Sequence, residues 1–356
     1  MVLGEGRIEV DGSYGEGGGQ VLRGAVALAC LTGRDLRIFN IRAGRPKPGL
    51  QPQHLASIQA AAEVSAGRLS NAWVGSTEIG FTPGRAAGGS YTIDIKTAGS
   101  VTLVVQTLLP ILLSADRPSE VRMLGGTDVP WSPPIDYVRQ VFIPGLRAVG
   151  VCGVSLELVR RGHYPKGGGE AVLRVEPSRG LRGMVERERG AVGAIRGVSY
   201  CTNLPAHVAR RQADSAERAL REAGFGDVRV SEEAQNTGGS PGSGVVLWAE
   251  TGGRLRIGAD ALGAREKRAE AVGAEAARGL VAELGSGMAA DSHMADMLTV
   301  YLAAARGQSE VGVASLTGHA ETMMWLTKEF LGTEWHVLKA ATGSALVKVD
   351  GSALLG

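Results

Sequence analysis

The stretch "QVLRGAVALACLTGRDLRIFNIRAG" (residues 20–44) decides how the rest of the chain is read. Apolar residues at three- and four-residue spacing predict a helix up to Gly33, and the alternating run that follows predicts a strand. A loop then leads to a second helix, "QHLASIQAAAEVSAG", and to two strand-like runs, "TEIGFTPG" and "SYTIDIK". The same order returns as "TAGS", "VTLVVQTLLPILLSA", "SEVRMLGG", "PPIDYVRQVFIPGLRAVG", "VSLELVRRG" and "GEAVLRVEP". A third copy starts at Asp291 with "SHMADMLTVYLAAARG" and continues through "SEVGVASLTG", "HAETMMWLTKEFLG", "WHVLKAA" and "ALVKVDG". Helix, strand, helix, strand, strand, three times over, implies α/β layers in which each helix pair covers one small sheet. Residues from about 184 to 288 break the register with four strand-like runs and two long polar helices, and read as an inserted domain joined through "PSRGLRG" and "GSGMAAD".

Composition narrows the function classes. At 356 residues, 44% hydrophobic and 21% charged, the chain is long enough for more than one core. A formal charge of +2 gives no whole-molecule field of the kind that holds duplex nucleic acid, so any anion must be met locally. Cys30, Cys152 and Cys201 are far apart and in no CxxC pattern, which reads as reduced thiols of a cytoplasmic protein. The start "MVLGEGRIEV" carries charges where a signal peptide has its apolar run, and the longest apolar run (101–115) is interrupted by Gln106 and Pro110. Neither export nor a membrane span is expected.

Polar residues that interrupt the apolar patterns fall in two places. The first is the entry or body of each copy's first helix: Glu16 and Arg23, then Gln106, then His293 and Asp296. The second is the loop after the middle strand: Arg42, Arg45, Gln53 and His54, then Asp128 and Asp136, then His319. Arg42, Arg45 and Lys47 lie beside Pro46, Pro48 and Gly49, so their forks and ammonium sit on a stiff turn, as a phosphate site or a solvated loop would have them. "DGSYGEGGGQVLRG" (11–24) fails both GxGxxG and the P-loop pattern. Its lone Glu16 amid bare backbone suits a hard divalent cation shared with phosphates, but the stretch reads equally as a plain strand-to-helix turn. His319 is placed at a strand's end and a helix's first turn, where an exposed neutral imidazole sits in a positive dipole, a position held more often by a cap or a surface residue than by a functional one. No HExxH or paired-histidine spacing is present. "GSGMAA" follows a helix rather than a strand, and "KVDG" lies too near the C-terminus to begin a lysine-adenylylating domain.

Together "DGSYGEGGGQVLRGAVALA", "IRAGRPKPGLQPQHLASIQAAAE", "TAGSVTLVVQTLLP", "GGTDVPWSPPIDY", "YPKGGGE" and "SLTGHAETM" resemble the RNA 3′-terminal phosphate cyclase family over nearly the whole chain. The resemblance implies an α/β (α+β) core of three βαβαββ repeats, similar to the C-terminal domain of a bacterial translation initiation factor, plus one smaller inserted α/β domain. The core is expected at 1–183 and 289–356, with repeats at about 7–90, 91–183 and 289–356, and the insertion at 184–288. It implies an enzyme that uses ATP and Mg2+ or Mn2+ to turn an RNA 3′-phosphate end into a 2′,3′-cyclic phosphate. His319 is then the nucleophile that takes AMP, and Glu16 the metal ligand. Gln106 and the segment His293, Met294, Ala295, Asp296 and Met297 would line the ATP site, while Arg23, Arg42, Arg45, Gln53 and His54 would hold phosphates.

Two positions depart from the family's pattern: Met297 stands where glutamine is common and Met323 where asparagine is usual. The competing reading is a non-catalytic RNA-end or ribosome-biogenesis binding protein of the cyclase-like branch, which resembles the cyclases but lacks the histidine. Aromatic residues make up 4% of the chain, which leaves little material for base-stacking platforms, and recognition is expected to depend weakly on RNA sequence. Oligomeric state is left open, a homodimer being one option.

Overall fold

The computed structural model describes residues 6–178, 180–237 and 239–356. The leader reading of the N-terminus and the "PSRGLRG" linker fall in part on residues 1–5 and Arg179, outside the described residues. The first unit runs β1 (Ile8–Asp11), α1 (Gly19–Thr32), β2 (Leu36–Phe39), α2 (Pro52–Val64), β3 (Arg68–Ser70) and β4 (Ile79–Thr82). The second runs β5 (Gly89–Asp94), α3 (Val101–Leu113), β6 (Ser119–Gly125), a broken helix containing α4 (Ile135–Tyr137) and α5 (Ile143–Gly145), β7 (Val154–Arg160) and β8 (Gly169–Val175). Next comes β9 (Val185–Glu186), followed by β10 (Val192–Thr202), α6 (His207–Glu222), β11 (Val228–Gln235), β12 (Gly242–Thr251), β13 (Ile257–Leu262) and α7 (Ala269–Gly285). The chain ends with α8 (Ser292–Ala304), β14 (Arg306–Val313), α9 (Gly318–Leu331), β15 (Trp335–Lys339) and β16 (Ala345–Ser352).

Three of the four-stranded sheets share one plan. Their orders are β1-β2-β4-β3, β5-β6-β8-β7 and β9-β14-β16-β15. In each the first pair is parallel and the other two are antiparallel. The fourth sheet, β11-β10-β12-β13, is ordered differently. It carries α6 and α7 and has a buried cluster of its own built on Leu220, Leu247 and Leu280.

Strand pairing bears on two places in the order of copies. "SYTIDIK", expected to close the first copy, supplies β5 and pairs in parallel with β6, so it opens the second sheet. β9 pairs in parallel with β14, so the third unit begins ahead of the inserted segment. In the first two units the first strand passes directly into a helix, β1 to α1 and β5 to α3, whereas in the third the inserted segment occupies that connection between β9 and α8. Its strands are thereby delivered to the same kind of loop as the glycine-rich stretch 11–18. "PPIDYVRQVFIPGLRAVG" also differs from a plain helix: it is short α turns joined by π and 3₁₀ turns. Pro144 withholds a backbone donor and Gly145 adds freedom in the middle of that run.

α1 packs against α2, α3 and α9, and α8 packs against α9, so the helices form a common layer. One contiguous cluster of buried residues unites the three units. At its centre α3 is buried on almost every side, as its run of valine, leucine and isoleucine requires. No helix among the described residues is long and apolar enough to cross a membrane. "KVDG" lies in β16, where Lys348 pairs with Glu310 at 2.9 Å, a structural contact between strands.

Candidate active site

Two glycines with left-handed backbone flank Glu16: Gly15 at φ 61° and Gly17 at φ 57°. Side chains other than glycine resist that region, and the turn it permits points the exposed Glu16 toward α9. Asp11 anchors the loop by accepting from the Ser13 N–H at 2.9 Å. Tyr14 stacks on Trp325 of α9 with ring centroids 3.8 Å apart and planes 17° apart. The Glu16 carboxylate then lies 3.6 Å from Nε2 of His319 and 3.8 Å from Nη2 of Arg45. Arg45 also donates to the Glu16 carbonyl at 2.7 Å, which ties the basic loop to the glycine-rich one.

His319 is the second residue of α9, half-buried, with Nδ1 lacking a hydrogen-bond partner among the described residues. Thr317 caps the helix by accepting from the Ala320 N–H at 3.1 Å, and its hydroxyl donates to Asp296 of α8. The histidine thus sits over the free N–H groups and positive end of a 14-residue helix, where an anion is stabilised. The start of α8 is fixed by buried Asp291, which accepts from the Tyr137 hydroxyl at 2.6 Å, the Gly258 N–H at 2.8 Å and the Met294 N–H at 2.9 Å. Burial pushes the Asp296 carboxyl above its ordinary range.

A cavity of about 360 Å³ opens at His319. Arg23, Gln106, His293, Asp296 and Met297 line it, as do Asp260 and Leu262 of β13. Arg23 is buried, and its one side-chain hydrogen bond among the described residues is to Gln20 Oε1 at 3.3 Å. Desolvation lowers its pKa to about 10, which leaves it charged at neutral pH. Among the described residues no carboxylate pairs with it, and a buried guanidinium without such a partner is costly unless an anion meets it, so the Arg23 wall of the cavity favours a negative group. Burial also pushes the Asp260 carboxyl up to about 6.

The structure does not bring every expected residue to this cavity. On α8 the helical period turns His293, Asp296 and Met297 to the cavity, while Met294 is buried against Gly145 and Ala295 faces Val311 and Val313 of β14. Arg42 spends its guanidinium on its own loop, donating to the carbonyls of Lys47 at 2.6 Å and Gly49 at 3.2 Å. Gln53 faces a neighbouring groove beside Thr97 and Gly99. The two departures from the family's pattern meet: Met297 and Met323 both line the inner end of the site with Phe142 and Tyr301. Asp260 was missed by sequence reasoning; its signal is a carboxylate in an otherwise alternating strand run. Asp128 and Asp136 are held by buried Arg161 instead of facing the cavity.

His54 lies under the glycine-rich loop. Its Nδ1 accepts from the Gln51 N–H at 3.2 Å, which leaves the proton on Nε2. Burial, with help from Arg23 and Arg42, lowers its pKa to about 3. The unfolded state therefore binds a proton that the folded state refuses. This stabilisation is complete above the unfolded pKa near 6.5 and is lost as pH falls toward 3. Between pH 7 and 5 the wild-type protein should lose about 2 kcal/mol that His54→Gln does not lose. Urea titrations at the two pH values measure the difference, and equal losses would remove His54 as the cause.

A sequence profile described as RNA 3′-terminal phosphate cyclase matches residues 14–337. Relatives named RNA 3′-terminal phosphate cyclase include that of Pyrobaculum aerophilum, 46% identical over 97% of this chain and 98% of the relative. That of Thermococcus kodakarensis is 48% identical over 93% of this chain and 94% of its own length. That of Methanopyrus kandleri is 47% identical over 91% and 93%.

Proposed function

The chain belongs to the RNA 3′-terminal phosphate cyclase family, and from that premise we propose that it cyclises RNA 3′-phosphate ends through covalent adenylylation of His319. The observation that carries this reading is the placement of a histidine at a helix N-terminus, beside Glu16, at the mouth of a cavity holding the guanidinium of Arg23, which no carboxylate pairs among the described residues. A neutral ring nitrogen of His319 attacks the α-phosphorus of ATP, forming the P–N bond and releasing pyrophosphate. An oxygen of the RNA 3′-phosphate then attacks the same phosphorus and the P–N bond breaks, leaving the end as an RNA–AMP anhydride. The neighbouring 2′-hydroxyl closes on the 3′-phosphorus, AMP leaves, and the hydroxyl proton passes to solvent. Each step is an in-line displacement that needs positioning and charge neutralisation more than acid–base chemistry. Arg23 and the first N–H groups of α9 supply fixed positive charge, and Gln106 and Asp296 supply polar contacts for the nucleotide.

A divalent metal fits as a shared ligand. No group of three or more His, Cys, Asp or Glu among the described residues could hold one alone. Glu16 offers one carboxylate, the pattern in which magnesium takes its other ligands from substrate phosphates and water. Bound there, the metal would neutralise charge on the triphosphate and the departing pyrophosphate.

The test is incubation of the protein with α-labelled ATP and Mg2+ or Mn2+. Label should become covalently bound through an acid-labile, alkali-stable phosphoramidate, and a protein that stays unlabelled while binding 3′-phosphorylated RNA would favour the non-catalytic reading. Glu16→Ala should keep its fold, because Glu16 is exposed, and should need at least about tenfold more metal for half-maximal labelling. An unchanged metal titration would return the glycine-rich loop to architecture alone.

A further inference from the structure

A second groove, about 330 Å³, shares Leu103 and Trp131 with the His319 cavity and continues outward past Gln53 and Thr97 to Tyr164. Trp131 is 95% exposed and Tyr164 68% exposed. Such rings bury large apolar area when they can, and the fold leaves these two standing at one groove in a chain with few aromatics. Trp131 is moreover held at φ 64°, a left-handed conformation that bulky side chains avoid and that tertiary structure maintains mostly at functional places. The walls offer neutral hydrogen-bonding groups in Gln53 and exposed Thr97. Exposed Lys96 and Lys166 adjoin the wall residues Thr97 and Pro165 in the chain. Exposed rings with cationic flanks along an open groove are the chemistry of single-stranded nucleic acid binding, where bases stack irrespective of sequence and lysines meet the backbone.

We propose that this groove seats the single-stranded RNA immediately 5′ of its terminal phosphate, with Trp131 and Tyr164 as stacking platforms and Lys96 and Lys166 at the backbone. The inference deepens the proposed function and rests on it, since the groove gains its meaning from joining the cavity at His319. The direction of the strand follows: the terminal phosphate lies at His319 and the chain leaves past Trp131 toward Tyr164. Sequence tolerance follows as well, because every base has a face to stack.

The experiment compares wild type, Tyr164→Ala and Trp131→Ala, with Trp131→Phe as the ring-retaining control. Both substituted positions are exposed, so thermal melts should be unchanged. With a 3′-phosphorylated single-stranded oligoribonucleotide, each alanine variant should raise KM about 5- to 100-fold, the loss expected for one stacked base. Phenylalanine at 131 should recover most of it. With a nucleoside 3′-phosphate, which has no upstream bases, Tyr164→Ala should match wild type, and its labelling by ATP alone should not change. An oligonucleotide KM unaffected by either alanine substitution overturns the proposal. So does an equal loss with the nucleoside 3′-phosphate, which would make the rings part of the end pocket. Fluorescence-anisotropy binding of the same oligonucleotide is measured in parallel. If wild type takes no label, the adenylylation reading fails on its own, and the binding loss in the alanine variants still decides the groove.

Discussion

His319→Ala is expected to lose covalent labelling by α-labelled ATP, and RNA cyclisation with it, by on the order of 10³-fold or more. Removing the proposed nucleophile closes the proposed covalent route and leaves neighbouring groups to bind. The fold should survive, because α9 is capped by Thr317 and not by the histidine. The cavity cation Arg23 also remains, so ATP binding should change far less than labelling. A direct measurement of nucleotide affinity separates the two effects. Retained labelling at the same acid-labile bond would place the nucleophile elsewhere, and a simultaneous collapse of stability would show that the ring is structural.

The second large effect is on stability. Arg161 is fully buried and reaches Asp128 at 3.2 Å, Asp136 at 2.6 Å and Glu233 at 2.7 Å, while its guanidinium lies 3.9 Å from the Tyr200 ring centre. Asp128 and Asp136 follow β6 in the second unit, whereas Glu233 and Tyr200 stand on β11 and β10 of the inserted segment. One side chain therefore clamps the insertion to the core. Arg161→Leu leaves buried Asp128 without a counter-charge among the described residues, while Asp136 keeps Arg139 at 2.8 Å, a loss of about 3–5 kcal/mol. Chemical denaturation should read it directly, and a change below about 0.5 kcal/mol would mean that the cluster is compensated by water. Adding Asp128→Asn to the leucine variant should recover part of the loss, because the stranded charge is then gone. The clamp also bears on the site: Asp260, on the same inserted sheet, lines the His319 cavity.

Much of the site was legible in the chain. Gly-rich loop, basic turn and "SLTGH" each stood at a strand-to-helix boundary, and the fold gathers Glu16, Arg45 and His319 at one place. The period of α8 also contained information that segment-wise reading passed over: residues 293, 296 and 297 share a face by their three- and four-residue spacing, while 294 and 295 cannot join them. Other features had no local signal. Arg42 and Arg45 sit in one loop and look alike, yet Arg42 turns back on its own carbonyls while Arg45 crosses to Glu16. Asp260 arrives from more than thirty residues before α8 because the insertion enters at the third unit's strand-to-helix connection. The exposure of Trp131 is a property of what fails to cover it.

By itself the sequence determined the order of helices and strands, the class of layers they form and the position of His319 at a helix start, because periodicity and breaking residues act over a few neighbours. The resemblance added the family and its chemistry. Only the tertiary structure decided which strand opens each sheet, which arginine faces an anion, and which carboxylates meet Arg161. Those outcomes depend on groups far apart in the chain competing for the same buried space. Burial, by withdrawing water, then sets which charges must pair and which, like Arg23, are left waiting for a ligand.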